Sequence, residues 1–261
     1  MDTRPIGVFD SGVGGLSVYR ELKKLLPHEQ VIYLCDQKNV PYGAKTKEQI
    51  LSYTDQSMQF FLKRNVKLVV IACNTATIYA IDAMRERYPI LFVGTVPMIK
   101  QLKNYTKTKK AAVLCTPATA KSEYLKKLIE EYADGIEVKV IGGSNLEQFV
   151  ERGNLDNLRI YNLLVTLLNP LLEKNIDTLA LSCTHYPFLR PQIAKIAGSR
   201  VHILDSGNAI ARHTKEILRA GNLLSENGQK DLFYTTGDMK KFRIVAEELL
   251  GSTIEGEKAY V

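Results

Sequence analysis

The sequence predicts an α/β fold made of two pseudo-symmetric lobes, each a mostly parallel sheet flanked by helices. Two observations predict it. Short apolar, β-branched runs alternate with helical periodicities along most of the 261 residues. Two of those runs, "VVIACNTATI" (69–78) and "TLALSCTHYP" (178–187), end alike in a cysteine followed by polar residues.

Each element has a local reason. "IGVFD" (6–10) reads as a strand, and a glycine turn follows it. Apolar residues at Leu16, Tyr19, Leu22, Leu25 and Leu26 then recur with helical spacing until Pro27 stops them. "VIYL" (31–34) is the next strand, and "TKEQ" (46–49) is a capping box opening a helix to about Arg64. "KLVVIAC" is a strand, "ATIYAIDAMRERY" a helix ending before Pro89, and "ILFV" (90–93) a strand. The strands "KAAVLC" (110–115), "IEVKVI" (136–141), "DTLALSC" (177–183) and "RVHILD" (200–205) follow, with helices between them. A strand "DLFYTT" and a helix "DMKKFRIVAEELLG" close the chain. Such alternation implies parallel strands covered by helices on both faces.

The two series echo each other: "VFDSGVGG" is matched by "ILDSGNAI" (203–210), and the Cys73 strand by the Cys183 strand. The Gly and Pro interruption "VGTVPMIK" (93–100) is the candidate hinge. The expected division places residues 1–97 and 208–261 in an N-terminal lobe and 98–207 in the second, with the active site in the cleft between them.

Composition narrows the function. Apolar residues make up 45% and charged residues 24%, an ordinary globular balance. The net charge of +7 is scattered apart from "KNYTKTKK" (103–110). A solvated loop is the weightier reading of that cluster and a nucleic-acid patch the lesser, so no nucleic-acid partner is expected. A mildly positive field also attracts a small anionic substrate. No apolar run approaches the roughly 18 residues that span a membrane, and the N-terminus has no secretory pattern. A cytoplasmic protein without a membrane partner is expected. The cysteines, Cys35, Cys73, Cys115 and Cys183, lie far apart with no C-x-x-C pair, which argues against a zinc module or disulfide framework.

In open α/β sheets ligands sit beyond the carboxyl ends of strands. The polar groups of interest all lie there: Asp10-Ser11, Asp36 with Pro41-Tyr42-Gly43, Cys73-Asn74-Thr75 and Cys183-Thr184-His185. Each precedes a helix start, whose unpaired N–H groups favour carboxylates or phosphates. A thiol at a helix N-terminus also ionises more readily than a free one, which makes it a usable base. Cys35 and Cys115 read as small buried hydrophobes, whereas the matched contexts of Cys73 and Cys183 point to chemistry. A thiolate and a thiol on opposite sides of one carbon suit removal of a proton from one face and its return to the other. The glycines of "DSGVGGLS" do not match G-x-G-x-x-G, so a dinucleotide fingerprint with Asp36 on the ribose is weak. With four histidines and no paired spacing, no metal site is expected, and His185 reads as a proton-handling or thiol-tuning neighbour of Cys183.

The segments "VFDSGVGGLSV", "VPYGAKTKEQI", "VVIACNTAT" and "SCTHYPFLRP" resemble, in order, the signature segments of the glutamate racemase family. "TPATAKSEY" (116–124), "ILDSGNAI" and "YTTGDMKKF" extend the likeness along nearly the whole chain. The resemblance implies interconversion of L- and D-glutamate without a cofactor, supplying D-glutamate for peptidoglycan, by an enzyme that is usually a homodimer. It implies that Cys73 and Cys183 transfer the protons, Cys73 acting on the D-enantiomer and Cys183 on the L-enantiomer. Substrate contacts then fall on Asp10, Ser11, Tyr42, Gly43, Asn74, Thr75, Thr184 and His185, with a further one at Thr119. Asp10, Glu151 and His185 are implied as groups supporting the thiols. The chain departs from the family pattern at Gly142-Gly143-Ser144, where a Cys-Pro is common, and at "GTVPMI", where a Glu-Pro is usual. Racemisation of aspartate or another acidic amino acid, non-catalytic binding of such an amino acid, and an NAD-dependent dehydrogenase are the alternative readings.

Overall fold

The computed structural model describes residues 2–153, 155–226 and 228–261. The chain divides into two compact units, Met1–Thr95 with Gly207–Val261, and Val96–Ser206. The first unit begins with β1 (Ile6–Asp10), α1 (Leu16–Leu25), β2 (Val31–Cys35), α2 (Lys47–Leu62), β3 (Leu68–Ile71), α3 (Asn74–Arg87) and β4 (Leu91–Gly94). The second comprises α4 (Leu102–Tyr105), β5 (Lys110–Cys115), α5 (Pro117–Ala120), α6 (Glu123–Tyr132), β6 (Glu137–Gly142), α7 (Leu146–Glu151), α8 (Leu158–Leu172), β7 (Thr178–Ser182), α9 (Arg190–Ala197) and β8 (His202–Asp205). The chain then returns to the first unit with α10 (Gly207–Ala220), β9 (Leu232–Thr235), α11 (Met239–Leu250) and β10 (Gly256–Lys258).

Both sheets are parallel throughout. The first has the order β10-β9-β2-β1-β3-β4 and the second β6-β5-β7-β8. Strands β1, β2, β3 and β7 are buried along their whole length, which is why they read as unbroken apolar runs rather than alternations. In each sheet the chain steps from a central strand to one flank and then crosses to the other, so β2 and β3 bracket β1 as β6 and β7 bracket β5. Strand order therefore reverses beside β1 and beside β5, and helices leave in opposite directions from the carboxyl ends there.

This shared topology makes β3 the counterpart of β7, so the two cysteine strands are equivalent. The "DSG" echo is not. "VFDSG" ends β1, whereas "ILDSG" ends β8, the counterpart of β4. The similarity reflects only that both segments lead from a strand into a helix.

Element boundaries follow local chemistry. Thr46 caps α2 in a reciprocal box with Gln49. Helix α3 starts at Asn74 rather than Ala76, because the Cys73 sulfur accepts the Ala76 amide and acts as its cap. Strand β10 has no counterpart in the sequence reading, since Gly256-Glu257-Lys258 is short and mostly exposed with no apolar alternation, and parallel pairing with β9 defines it. The basic stretch 103–110 is the approach to β5, folded around Asp177. That carboxylate accepts Thr106 Oγ1 at 2.6 Å and the amides of Lys107 and Thr108 at 2.6 and 2.8 Å. Partial burial pushes the Asp177 pKa up, and these bonds outweigh it, pulling it down to about 2. Among the described residues, no helix is long and apolar enough to cross a membrane.

At the opposite end of the first sheet, Lys67 Nζ lies 2.6 Å from Glu29 Oε2, with the two side chains 0% and 2% exposed. Lys67 also donates to the carbonyls of Asp2 and Leu223, and Glu29 accepts the Ser225 amide. The pair thus fastens the return segment to the first strands. Lys67→Met strands a buried carboxylate and should cost about 3–5 kcal/mol in chemical denaturation. Adding Glu29→Gln should recover part of that loss, and strict additivity of the two changes would contradict a direct pair.

Candidate active site

In the first unit the polar groups collect at the reversal point between β1 and β3. Asp10 ends β1, fully buried, and accepts the Gly12 amide at 2.8 Å. A side chain at Gly15 would place its Cβ 2.6 Å from Asp10 Cβ and 2.8 Å from Tyr33 Oη, so the turn into α1 approaches Asp10 only because that residue is glycine. Ser11 Oγ lies 3.5 Å from Cys73 Sγ, which itself receives the Ala76 amide at 3.4 Å. The Cys73 sulfur therefore meets both a hydroxyl and the positive end of α3. Asn74 and Thr75 form the buried first turn of α3. Thr77 Oγ1 donates to Ile71 O and accepts the Thr95 amide, both at 3.1 Å, tying together the ends of β3 and β4.

Tyr42 and Gly43 lie in a 3₁₀ turn after β2. The Tyr42 side chain is buried and its hydroxyl donates to Asp36 Oδ2 at 2.7 Å. Asp36 also accepts Thr236 Oγ1 at 2.8 Å and the Asn39 amide group at 3.0 and 3.1 Å. Burial pushes the Asp36 carboxyl up, and these donors offset that only in part. Burial and then the neighbouring Asp36 charge push the Tyr42 hydroxyl far up, with Cys73 and Asp10 adding to the effect, so it stays a donor. Tyr42 thus acts as a pillar under the turn. This support was not legible in the sequence, where Asp36 stood out by its position at a strand end and as a weak ribose-ligand candidate, and Thr236 not at all.

In the second unit the same reversal point, between β5 and β7, carries Cys183, Thr184 and His185 directly after β7. Cys183 Sγ is 3.6 Å from His185 Nδ1, and His185 Nε2 is 2.6 Å from Glu151 Oε1 on α7. The three form a buried relay of thiol, imidazole and carboxylate. Burial alone would hold His185 neutral, but its bonds to Cys183 and Glu151 outweigh burial and raise its pKa well above 6.5. The imidazolium so favoured stabilises a neighbouring thiolate. Thr119 is fully buried, and its hydroxyl accepts that of Thr116, the cap of α5, at 3.0 Å.

Tyr186, inside the "CTHYP" run but not singled out there, locks this region. Its hydroxyl donates to Gly143 O at 3.0 Å and Cys115 O at 3.3 Å. A Cβ at Gly143 would sit 3.0 Å from the Tyr186 hydroxyl and 2.7 Å from Leu146 Cδ1, so the Gly142-Gly143 departure permits this close packing. Cys115 is wholly buried, and burial with the nearby Cys183 pushes its thiol up to about 12. Cys35 is equally buried. The sites in the two units thus differ: Cys73 has a hydroxyl and a helix terminus, Cys183 an imidazole backed by a carboxylate. Among the described residues, no group of three or more His, Cys, Asp or Glu side chains is arranged to hold a metal ion.

Fold and site together define a doubly wound α/β protein with thiols at two equivalent strand ends. The chain belongs to the Asp/Glu/Hydantoin racemase family, whose model matches residues 6–214. A glutamate racemase of Herpetosiphon aurantiacus is 43% identical over 93% of this chain and 96% of its own length. A glutamate racemase structure from Bacillus anthracis aligns with a TM-score of 0.90 at 31% identity, covering 100% of this chain and 99% of that one. Another, from Francisella tularensis in complex with D-glutamate, aligns with a TM-score of 0.86 at 31% identity, covering 100% and 98%.

The raised His185 pKa fixes a pH dependence. Because the folded value lies above the unfolded one, the stabilisation is fully present below about pH 6.5 and is lost as pH rises through the folded value. Glu151→Gln should lower the His185 titration midpoint, followed by NMR of the imidazole. It should also cost about 2 kcal/mol of stability near pH 6 and progressively less at alkaline pH. An unmoved midpoint would show that Glu151 does not hold the imidazolium.

Proposed function

We propose that the chain is a cofactor-independent glutamate racemase in which Cys73 and Cys183 exchange protons with the α-carbon. The observation that carries this reading is the pair of thiols at equivalent strand ends, each with its own activating surroundings: the α3 N-terminus and Ser11 for Cys73, His185 and Glu151 for Cys183. Family membership and the similarity to glutamate racemases along nearly the whole chain support the substrate.

The reaction needs the two thiols on opposite faces of the α-carbon. One thiolate removes the α-proton, breaking C–H and forming S–H, and the other thiol returns a proton to the opposite face. Cys183 is the base toward L-glutamate and Cys73 the base toward D-glutamate. In the Cys183 direction, His185 stabilises the thiolate that starts the reaction, and Glu151 holds the ring in place. Asp10 meets the substrate ammonium. Amides and hydroxyls of Ser11, Gly43, Asn74, Thr75, Thr119 and Thr184 hold the carboxylates, with Tyr42 fixing the turn that presents Gly43. The carbanion is high in energy, so fixed donors around the carboxylates must supply much of the rate enhancement. The same reading makes the protein a cytoplasmic homodimer that feeds D-glutamate to peptidoglycan synthesis.

The test is incubation with L-glutamate in D2O without added cofactor, following optical rotation and the α-proton signal together. Racemisation with α-deuterium incorporation is expected. Cys73→Ser and Cys183→Ser should each lower kcat by about a thousandfold or more. Full-rate racemisation by either variant would remove that cysteine from the mechanism, and silence toward glutamate would remove the substrate.

A further inference from the structure

The return segment reaches the polar end of the first sheet through one hydroxyl. Strand β9 pairs with β2, Cys35 opposite Thr235, and β10 holds the other edge of β9. Beyond the ends of β2 and β9, the Thr236 amide donates to Cys35 O at 3.0 Å and so fixes its own backbone. The Thr236 side chain is buried, and its Oγ1 accepts the Lys38 amide at 3.0 Å. With that bond occupying a lone pair, the single hydroxyl hydrogen is left for Asp36 Oδ1, 2.8 Å away. Gly237 continues the turn so close to the loop after β2 that a Cβ there would lie 3.0 Å from Gln37 Cβ and 2.6 Å from Gln37 Oε1.

Asp36 passes this constraint on. Its backbone amide donates to Asp10 O at 2.9 Å, and the Asn39 amide group bonds both carboxylate oxygens. Thr236 then completes Oδ1 while Tyr42 completes Oδ2 at 2.7 Å. The Tyr42 ring packs against Phe9 and Tyr53, with centroids 6.2 and 5.9 Å away. Such packing is non-directional, so the bond from the hydroxyl decides where along its own axis the ring comes to rest. Gly43 follows Tyr42 in the same 3₁₀ turn. We propose that Thr236 is a positioning residue for the Tyr42-Gly43 turn, acting through Asp36, and that it governs substrate binding rather than proton transfer. The effect on the turn stands on the bonds above. The effect on binding rests on the racemase reading, in which Gly43 helps to hold a carboxylate of either enantiomer.

Thr236→Val removes the hydroxyl and Thr236→Ser keeps it, so the two variants separate the bond from the shape. The first readout is hydrogen exchange in the intact protein without substrate. The Ala44 and Lys45 amides bond to Pro41 O and Tyr42 O and make no contact with the Thr236 hydroxyl. Their exchange should quicken about tenfold in Thr236→Val, with β1 amides unchanged, and return to the parent rate in Thr236→Ser. Unchanged exchange at Ala44 and Lys45, or equal acceleration in β1, would overturn the effect on the turn. The second readout is steady-state racemisation. Thr236→Val should raise KM for L- and D-glutamate alike by about tenfold with kcat within about twofold, and Thr236→Ser should restore both. Because Thr236 acts through Asp36 and Tyr42, adding Thr236→Val to Tyr42→Phe should raise KM no further. A fall in kcat at constant KM, or strictly additive effects on KM, would overturn the effect on binding. A parent protein inactive on glutamate would count against the racemase reading and the binding effect that rests on it, and the exchange result would still decide the turn.

Discussion

The arrangement depends on one constraint, the parallel pairing of a central strand with neighbours reached in opposite directions. Once β2 lies on one side of β1 and β3 on the other, the helices that follow β1 and β3 diverge at the carboxyl end of the sheet. The resulting gap cannot be filled by regular structure, and polar groups placed there meet helix N-termini instead of a packed wall. The same crossover in the second sheet produces the same gap. Asp10, Ser11 and Cys73 occupy the first, and Cys183, Thr184 and His185 the second.

Equivalent positions carry unequal chemistry. Cys73 meets a helix terminus and a hydroxyl, whereas Cys183 meets a buried imidazole that is itself bonded to a carboxylate. Racemisation demands that one carbon be attacked from two sides, but it does not demand that both bases be activated alike. A helix N-terminus supplies a fixed partial charge at every pH, while an imidazole supplies a charge that titrates. The fold repeats the location of the thiol without repeating what surrounds it.

Strands buried on both faces were legible because an unbroken apolar run has few alternatives once flanked by turns and helical periodicities. Strand β10 was not, because Gly256–Lys258 is held by backbone pairing to β9 and carries no apolar signal. The cysteines stood out through their repeated context. The supports around them did not, since each joins residues distant in sequence: Glu151 to His185, Thr236 to Asp36, and Tyr186 to the carbonyls of Cys115 and Gly143. Glu151 could be named in advance only by resemblance, because a lone glutamate on a short helix looks like a solvated surface residue.

The first unit is assembled from both ends of the chain, with Lys67 and Glu29 gripping Asp2, Leu223 and Ser225. Synthesis on the ribosome proceeds from the N-terminus, so the strands β1–β4 emerge early and wait. The whole of Val96–Ser206 appears before β9 arrives to cover the flank of β2. Until then β2 exposes an unpaired edge, and Lys67 and Glu29 wait for their bonds to Leu223 and Ser225. The unit that bears Cys73 is therefore completed only after the whole of the other unit has been synthesised.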